Sequence, residues 1–161
     1  MAEITIRGAG IFGLSIAWEC LRRGARVTVL DPAGPGGGAS GGLVGALAPH
    51  VPENWNEKKA FQLDSLLMAE GFWAGVEQAS GLSSGYGRLG RLQPVMDERG
   101  LELARARIAG ADTLWQGQAE WQVVPCGTFG DWEPSSPSGW LIHDTLSARL
   151  HPQRACAALA G

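Results

Sequence analysis

Apolar and polar positions change their spacing along this chain, and each change marks an element. Ile4 and Ile6 alternate with polar residues, as in a half-buried strand. Glycines follow at 8, 10 and 13, and from there Leu14, Ala17, Trp18 and Leu21 recur at helical spacing. Arg22 and Arg23 supply a basic last turn, and Gly24 a left-handed stop. Arg26 to Leu30, RVTVL, is β-branched and predicts a second strand that ends on Asp31. The order strand, glycine turn, helix, strand is that of a βαβ unit.

The spacing then lapses through PAGPGGGAS (32–40) and GGLVGALAPHVP (41–52), a glycine-rich stretch longer than a simple crossover needs. From Asn56 a long helical pattern places Ala60, Leu63, Leu67, Phe72, Trp73 and Val76 on one side, with Gly81 as its stop. YGRLGRLQPVM reads as a strand, DERGLELARARIAG as a short helix capped by Asp97, and DTLWQGQAEWQVVP as extended segments with a turn. A Pro, Gly and Ser-rich loop (125–139) precedes a short apolar strand, Trp140 to Ile142. His151 and Pro152 open a last helix, with proline at its first position.

Gly8, Gly10 and Gly13 stand at the G-x-G-x-x-G spacing, in the strand-to-helix context that gives the motif meaning. Gly8 permits the tight bend, Gly10 lets backbone approach a pyrophosphate, and Gly13, without a Cβ, lets the helix lie close on the sheet. The N–H groups near Ile11 and Phe12 would face the phosphates at the positive end of the helix. Asp31 falls about eighteen residues beyond Gly13, where a carboxylate accepts the hydroxyls of an adenosine ribose and disfavours a 2′-phosphate. Arg7 departs from the pattern, since a parallel strand buried on both faces carries an apolar residue there.

Composition narrows the classes. Glycine is abundant, 24 of 161 residues, and it gathers in turns rather than in a repeat. A net charge of −3 gives no reason to expect nucleic acid or an acidic membrane as partner. Three widely spaced cysteines suggest neither a disulfide framework nor a metal site and point to the reducing cytoplasm. The first apolar stretch is interrupted by Arg7 and Glu19 and has no basic leader, so neither a signal peptide nor a membrane span is expected.

The second glycine-rich stretch makes the reading specific. GAGIFGLS, then Asp31, then Ala39, Ser40, Gly41, Gly45, Ala46, Leu47 and Pro49 of ASGGLVGALAP resemble the D-amino-acid oxidase and glycine oxidase family of FAD-dependent enzymes. Within it the wording is similar to the oxidase domain of bifunctional tRNA wobble-uridine modification enzymes and to the glycine oxidases of thiamine biosynthesis. The resemblance implies an α/β fold, an incomplete Rossmann-like FAD-binding domain with an inserted α+β antiparallel substrate-domain segment. On that basis residues 1–82 form the first part of the FAD domain, 83–142 part of the substrate domain, and 143–161 a return helix.

The resemblance places Gly8, Gly10, Ile11, Phe12, Gly13 and Asp31 on the ADP half of FAD. It places Ala39 and Ser40 by the pyrophosphate, and Gly45, Ala46 and Leu47 along the flavin ring. Small residues there would let main chain touch the ring. A flexible Gly/Ser linker is the alternative, and Leu43, Val44 and Leu47 are too apolar for one. The implied activity is oxidation of an amine or amino acid, with oxygen or another acceptor reoxidising the flavin. Because members of the family are usually much longer, the chain is expected to be the N-terminal portion of such an enzyme. A nicotinamide-dependent dehydrogenase fits the first motif alone. A truncated, non-catalytic module that self-associates through bare apolar surface is a third possibility.

Other residues have plainer explanations. His50 follows the implied flavin loop, but a local hydrogen bond suits it as well. His143 and His151 look structural. Arg88 and Arg91 could aim at a substrate carboxylate or merely form the polar face of a strand. Of the seven tryptophans, Trp18 and Trp73 read as core, while Trp115, Trp121, Trp132 and Trp140 read as pocket lining or surface. No acid–base pair or nucleophile constellation stands out, and no catalytic side chain is assigned.

Overall fold

A computed structural model describes residues 1–161. The chain divides into two compact units: Met1–Ala46, Glu70–Gly87 and Arg149–Gly161 form the first, and Leu47–Ala69 and Arg88–Ala148 the second.

In the first unit, strand β1 (Glu3–Arg7) runs parallel to β2 (Arg26–Leu30), with Glu3 opposite Arg26 and Arg7 opposite Leu30. The connecting helix α1 (Ile11–Arg22) buries Leu14 and Ala17, and Gly24 ends it at a φ of +81°. Trp18 is only half-buried and Leu21 is exposed, so the apolar stripe is narrower than the sequence suggests. Alternate strand residues, Glu3, Thr5 and Arg7 with Arg26, Thr28 and Leu30, are exposed on one face. Arg7 therefore sits in solvent rather than in a doubly covered sheet. The last helix, α4 (Pro152–Ala160), buries Ala155, Cys156, Ala158 and Leu159, and His151 caps it by accepting the Arg154 N–H at 3.4 Å. A cavity of about 230 Å³ bounded by Ala17, Val27, Val29 and Leu159 leaves this layer loosely filled.

Helix α2 (Glu57–Ser80) belongs to the second unit through Ala69 and to the first from Glu70. Asn56 caps it, its Oδ1 accepting the Lys59 N–H at 3.1 Å, and Gly81 stops it at a φ of +70°. Trp73 and Val76 are buried as the periodicity predicts, and Leu66 and Ala69 join them.

The second unit is an antiparallel sheet packed on helices. Strands β4 (Arg91–Pro94) and β5 (Trp121–Pro125) flank the central β6 (Trp140–Asp144). Helix α3 (Glu98–Trp115) starts at Asp97, whose side chain accepts the Gly100 N–H at 2.7 Å. It runs on through Asp112–Trp115, where the sequence suggests extended chain. Gly110, where the sequence reading ends the helix segment, is a point of close approach: a Cβ there would lie 2.4 Å from the Pro52 carbonyl oxygen. The helix ends instead at Gln116 and Gly117, both with positive φ. That extra turn brings Trp115 against Trp121, edge to face at 6.2 Å, and with Leu66, Ala111, Ala119 and Leu146 they form the core.

Two three-residue strands escape the sequence reading. They are β3 (Gly45–Leu47) and β7 (Ala148–Leu150), which pair with one another. No helix is long and apolar enough to cross a membrane.

Candidate functional site

The site begins where β1 ends. Gly8 turns the chain at a φ of +109°, a conformation strained for any L side chain, and its N–H donates to the Leu30 carbonyl at 2.9 Å. This fixes the turn to the end of β2. Five residues on, a Cβ at Gly13 would lie 1.9 Å from the Gly8 carbonyl oxygen, so α1 rests on the turn with no room for a side chain. Gly10, the residue before the helix, contributes no side-chain cap. The first N–H groups of a helix have no partner within it, and they carry its positive end.

One of those donors is met from outside the helix. Ser40, in a single 3-10 turn (Ala39–Gly41), accepts the Ile11 N–H on its Oγ at 3.0 Å. A Cβ at Gly10 would stand 3.2 Å from that oxygen, so the glycine leaves room for the hydroxyl. The Phe12 and Gly13 N–H groups have no acceptor within the helix, and the Phe12 side chain is exposed.

Asp31 closes the other side. Its Oδ2 accepts the Ala9 N–H at 2.7 Å and its Oδ1 the Ala33 N–H at 2.8 Å, so the carboxylate ties β2 to the middle of the glycine turn. The Ala9 N–H, and after it that of Ala33, hold the carboxyl below its ordinary range, against a smaller opposing effect of desolvation. The Gly34 N–H adds a weaker bond, and the carboxylate keeps acceptor capacity beyond these three. An open groove of about 700 Å³, bounded by Arg7, Gly8, Val29, Leu30, Asp31 and Pro32, runs past it.

The second glycine-rich stretch is laid along α4. A Cβ on Gly36 would be 3.3 Å from Cys156 Cβ, one on Gly42 4.0 Å from Pro152 Cγ, and one on Gly45 3.3 Å from Pro152 Cγ and 3.1 Å from the Leu150 carbonyl. The Gly36 N–H donates to the Ala9 carbonyl at 2.8 Å, joining the stretch to the first turn. The sequence reading misses Pro152 and Cys156 as supports. A signal existed in the small residues of PQRACAALA, which suit close packing against a glycine run.

Of the residues singled out from sequence, Gly8, Gly10, Ile11, Gly13, Asp31 and Ser40 come together at one mouth. Ala39 is exposed beside Ser40. Gly45 and Ala46 lie further along the same unit, Gly45 against β7 and α4 and Ala46 exposed. Leu47 belongs to the second unit, where its side chain packs against the tryptophan core. Leu43 and Val44 are exposed.

Most of the candidates outside this mouth are engaged in local structure; for His50 only the main chain is, and Trp132 stays exposed. Arg91 Nε donates to the fully buried Asp144 at 3.2 Å, and Arg88 donates to the carbonyls of Thr145 and Gln118. Both guanidiniums thus hold the sheet of the second unit. The His50 N–H donates to Gln62 Oε1 at 2.8 Å. His143 Nδ1 lies 3.1 Å from Gln122 Oε1, with its ring against Phe129. Trp115 and Trp121 are core, Arg105 lies over the Trp140 ring, and Trp132 is exposed.

Comparison with known proteins bears on this arrangement. The family model described as DAO, FAD dependent oxidoreductase, matches residues 3–161. The tRNA 5-methylaminomethyl-2-thiouridine biosynthesis bifunctional protein MnmC of a Polaromonas species is 34% identical over 146 residues, 88% of this chain and 20% of that protein. A thiamine biosynthesis oxidoreductase, ThiO, of Rhizobium etli is 42% identical over 65 residues, 40% of this chain and 20% of its own length. Among solved structures, glycine oxidase from Geobacillus kaustophilus superposes with a TM-score of 0.73 at 19% identity, over 99% of this chain and 44% of that one. The matches thus span about a fifth of the two relatives.

Proposed function

The chain belongs to the family of FAD-dependent oxidoreductases, and from that premise we propose that its first unit holds the ADP half of FAD as part of an enzyme oxidising an amine or amino acid. The bond from the Ile11 N–H to Ser40 Oγ carries the reading, because it brings the second glycine-rich stretch to the first glycine turn. A dinucleotide turn alone would suit a nicotinamide cofactor as well.

The residues fit the group. Gly8 and Gly13 leave the helix start bare, the Phe12 and Gly13 N–H groups face a pyrophosphate, and Asp31 has acceptor positions to spare for ribose hydroxyls. Gly45 and Ala46, with the exposed Leu43 and Val44, offer small and apolar main chain for a ring to lie on. FAD would supply a two-electron acceptor for oxidation of glycine or an N-substituted glycine, with oxygen or another acceptor reoxidising it. This chain's own share is to fix the cofactor and keep its anionic centre at the helix start. We place the protein in the cytoplasm, where its cysteines stay reduced, and divide it by function into FAD-binding (1–82), substrate (83–142) and return (143–161) segments.

The test is to purify the chain, supply FAD, remove the excess and record the visible spectrum. A flavin spectrum at near-equal stoichiometry is expected, and Gly13→Val abolishes it. Colourless protein that retains NAD overturns the proposal.

A further inference from the structure

Arg7 closes β1 at a position where a buried parallel strand carries an apolar side chain, and the flavin reading gives it no role. Two arginines stand on the exposed face of the β1–β2 pair. Arg26 is held by Glu3, its Nη1 lying 3.0 Å from Oε1, whereas the exposed Arg7 side chain has neither an ion pair nor a hydrogen bond. One charge on this face is thus spent and the other is free.

Helix α1 lies on the other face, where a Cβ on Gly13 would be 3.4 Å from Ile6 Cγ2. Arg7, one residue on, points away from the helix, beside its register partner Leu30, which is also exposed. With Gly8, Asp31 and Pro32 they bound the open groove of about 700 Å³. Arg7 and Asp31 flank that groove without pairing. If a pyrophosphate sits at the start of α1 and a ribose at Asp31, the base, on the far side of the sugar from the phosphates, has this groove to enter. A guanidinium is planar and weakly hydrated, so it stacks on aromatic rings, and an exposed leucine beside it supplies an apolar floor. A phosphate suits the groove less well, because the Asp31 carboxylate repels an anion there.

We propose that Arg7 is a base-binding residue: its guanidinium stacks on the adenine ring of the dinucleotide, with Leu30 as the apolar floor, while Asp31 takes the ribose. This rests on the reading of the mouth as an ADP site and adds a contact that the glycine motif does not supply. It accounts for an unpaired arginine at the end of a strand whose pattern calls for an apolar residue.

The experiment uses the full chain with ADP and inorganic pyrophosphate as probes, measured by calorimetry. Arg7→Ala weakens ADP binding about tenfold and leaves pyrophosphate binding unchanged, and the loss persists when salt is raised, whereas a contact to phosphate would fade. Arg7→Lys keeps the charge without the planar head and stays closer to the alanine variant than to the unmodified chain. Arg26→Ala, which removes a like charge from the same face, leaves ADP binding unchanged. An equal loss for ADP and pyrophosphate in Arg7→Ala, no loss for either, or full recovery in Arg7→Lys overturns the proposal. An unmodified chain that binds pyrophosphate but not ADP also overturns it and spares the helix start as an anion site; binding of neither refutes the underlying site. Should the variants not fold, the Arg7 Cδ protons of the unmodified chain decide by nuclear magnetic resonance. Addition of ADP shifts them upfield in the ring current of a stacked base, and unmoved resonances overturn the inference.

Discussion

The two units reach order by opposite means. In the second, bulky rings fill the interior: Trp115 and Trp121 meet edge to face among Leu66, Ala111 and Leu146, and the Trp121 indole N–H donates to the Ala104 carbonyl at 3.0 Å. In the first, order comes from side chains that are missing. Gly8, Gly13, Gly36 and Gly45 bring backbone onto backbone or onto α4, one face of the sheet is exposed, and a cavity remains beside α1. A unit built from bulk stabilises itself, whereas one built from close backbone approaches leaves polar N–H groups and a carboxylate in place for something else to use. The chemistry accordingly gathers in the first.

The contrast can be broken most severely at its centres. Trp115→Ala empties the core of the second unit and is expected to cost about 3–5 kcal/mol of stability, read by denaturant unfolding, with ADP affinity retained below the melting transition. Gly13→Ala puts a methyl group into the Gly8 carbonyl and is expected to cost about 3 kcal/mol with loss of ADP binding, so that the two variants fail in different assays. If Gly13→Ala binds ADP normally, the account of the first unit as a ligand cradle fails.

Acid sharpens the comparison more gently. The Asp31 carboxyl is depressed in the folded chain by the Ala9 and Ala33 N–H groups. Its contribution is therefore complete above the unfolded carboxylate range and is lost as pH falls through the lower, folded value. Asp31→Asn is expected to flatten the acid limb of ADP affinity; an unchanged limb assigns it to another group. In the second unit the Glu53 carboxyl is lowered chiefly by its hydrogen bond from Arg107, which reaches it at 2.7 Å. The sign is the same, but the pair is partly exposed, so Glu53→Gln should cost only about 0.5–1 kcal/mol in thermal unfolding and leave ADP binding alone.

How far the sequence reveals these features depends on the range of the forces. The β1–α1–β2 unit is legible because its determinants are local: alternation, helical spacing, three glycines and Asp31 fall within one short stretch. The end of α3 is not, because its last turn packs through Trp115 on Trp121, which comes from a separate strand. β3 and β7 are three residues each and exist only through their pairing, which no local pattern announces. Arg91 looks like a free guanidinium for a substrate because its partner, Asp144, arrives from a distant strand and is wholly buried. Nor is the seat of Gly36 on Cys156 legible, since a cysteine in a helix of small residues carries no sign of its neighbour.

The bed of α4 under the glycine stretch has a consequence for biosynthesis. Residues 36–45 leave the ribosome more than a hundred residues ahead of Pro152 and Cys156, on which they come to rest. Until then the loop has nothing beneath it, and the nascent protein can present its first bend to a nucleotide but not the Ser40 hydroxyl in its final setting. Loading of cofactor should therefore wait on the emergence of α4.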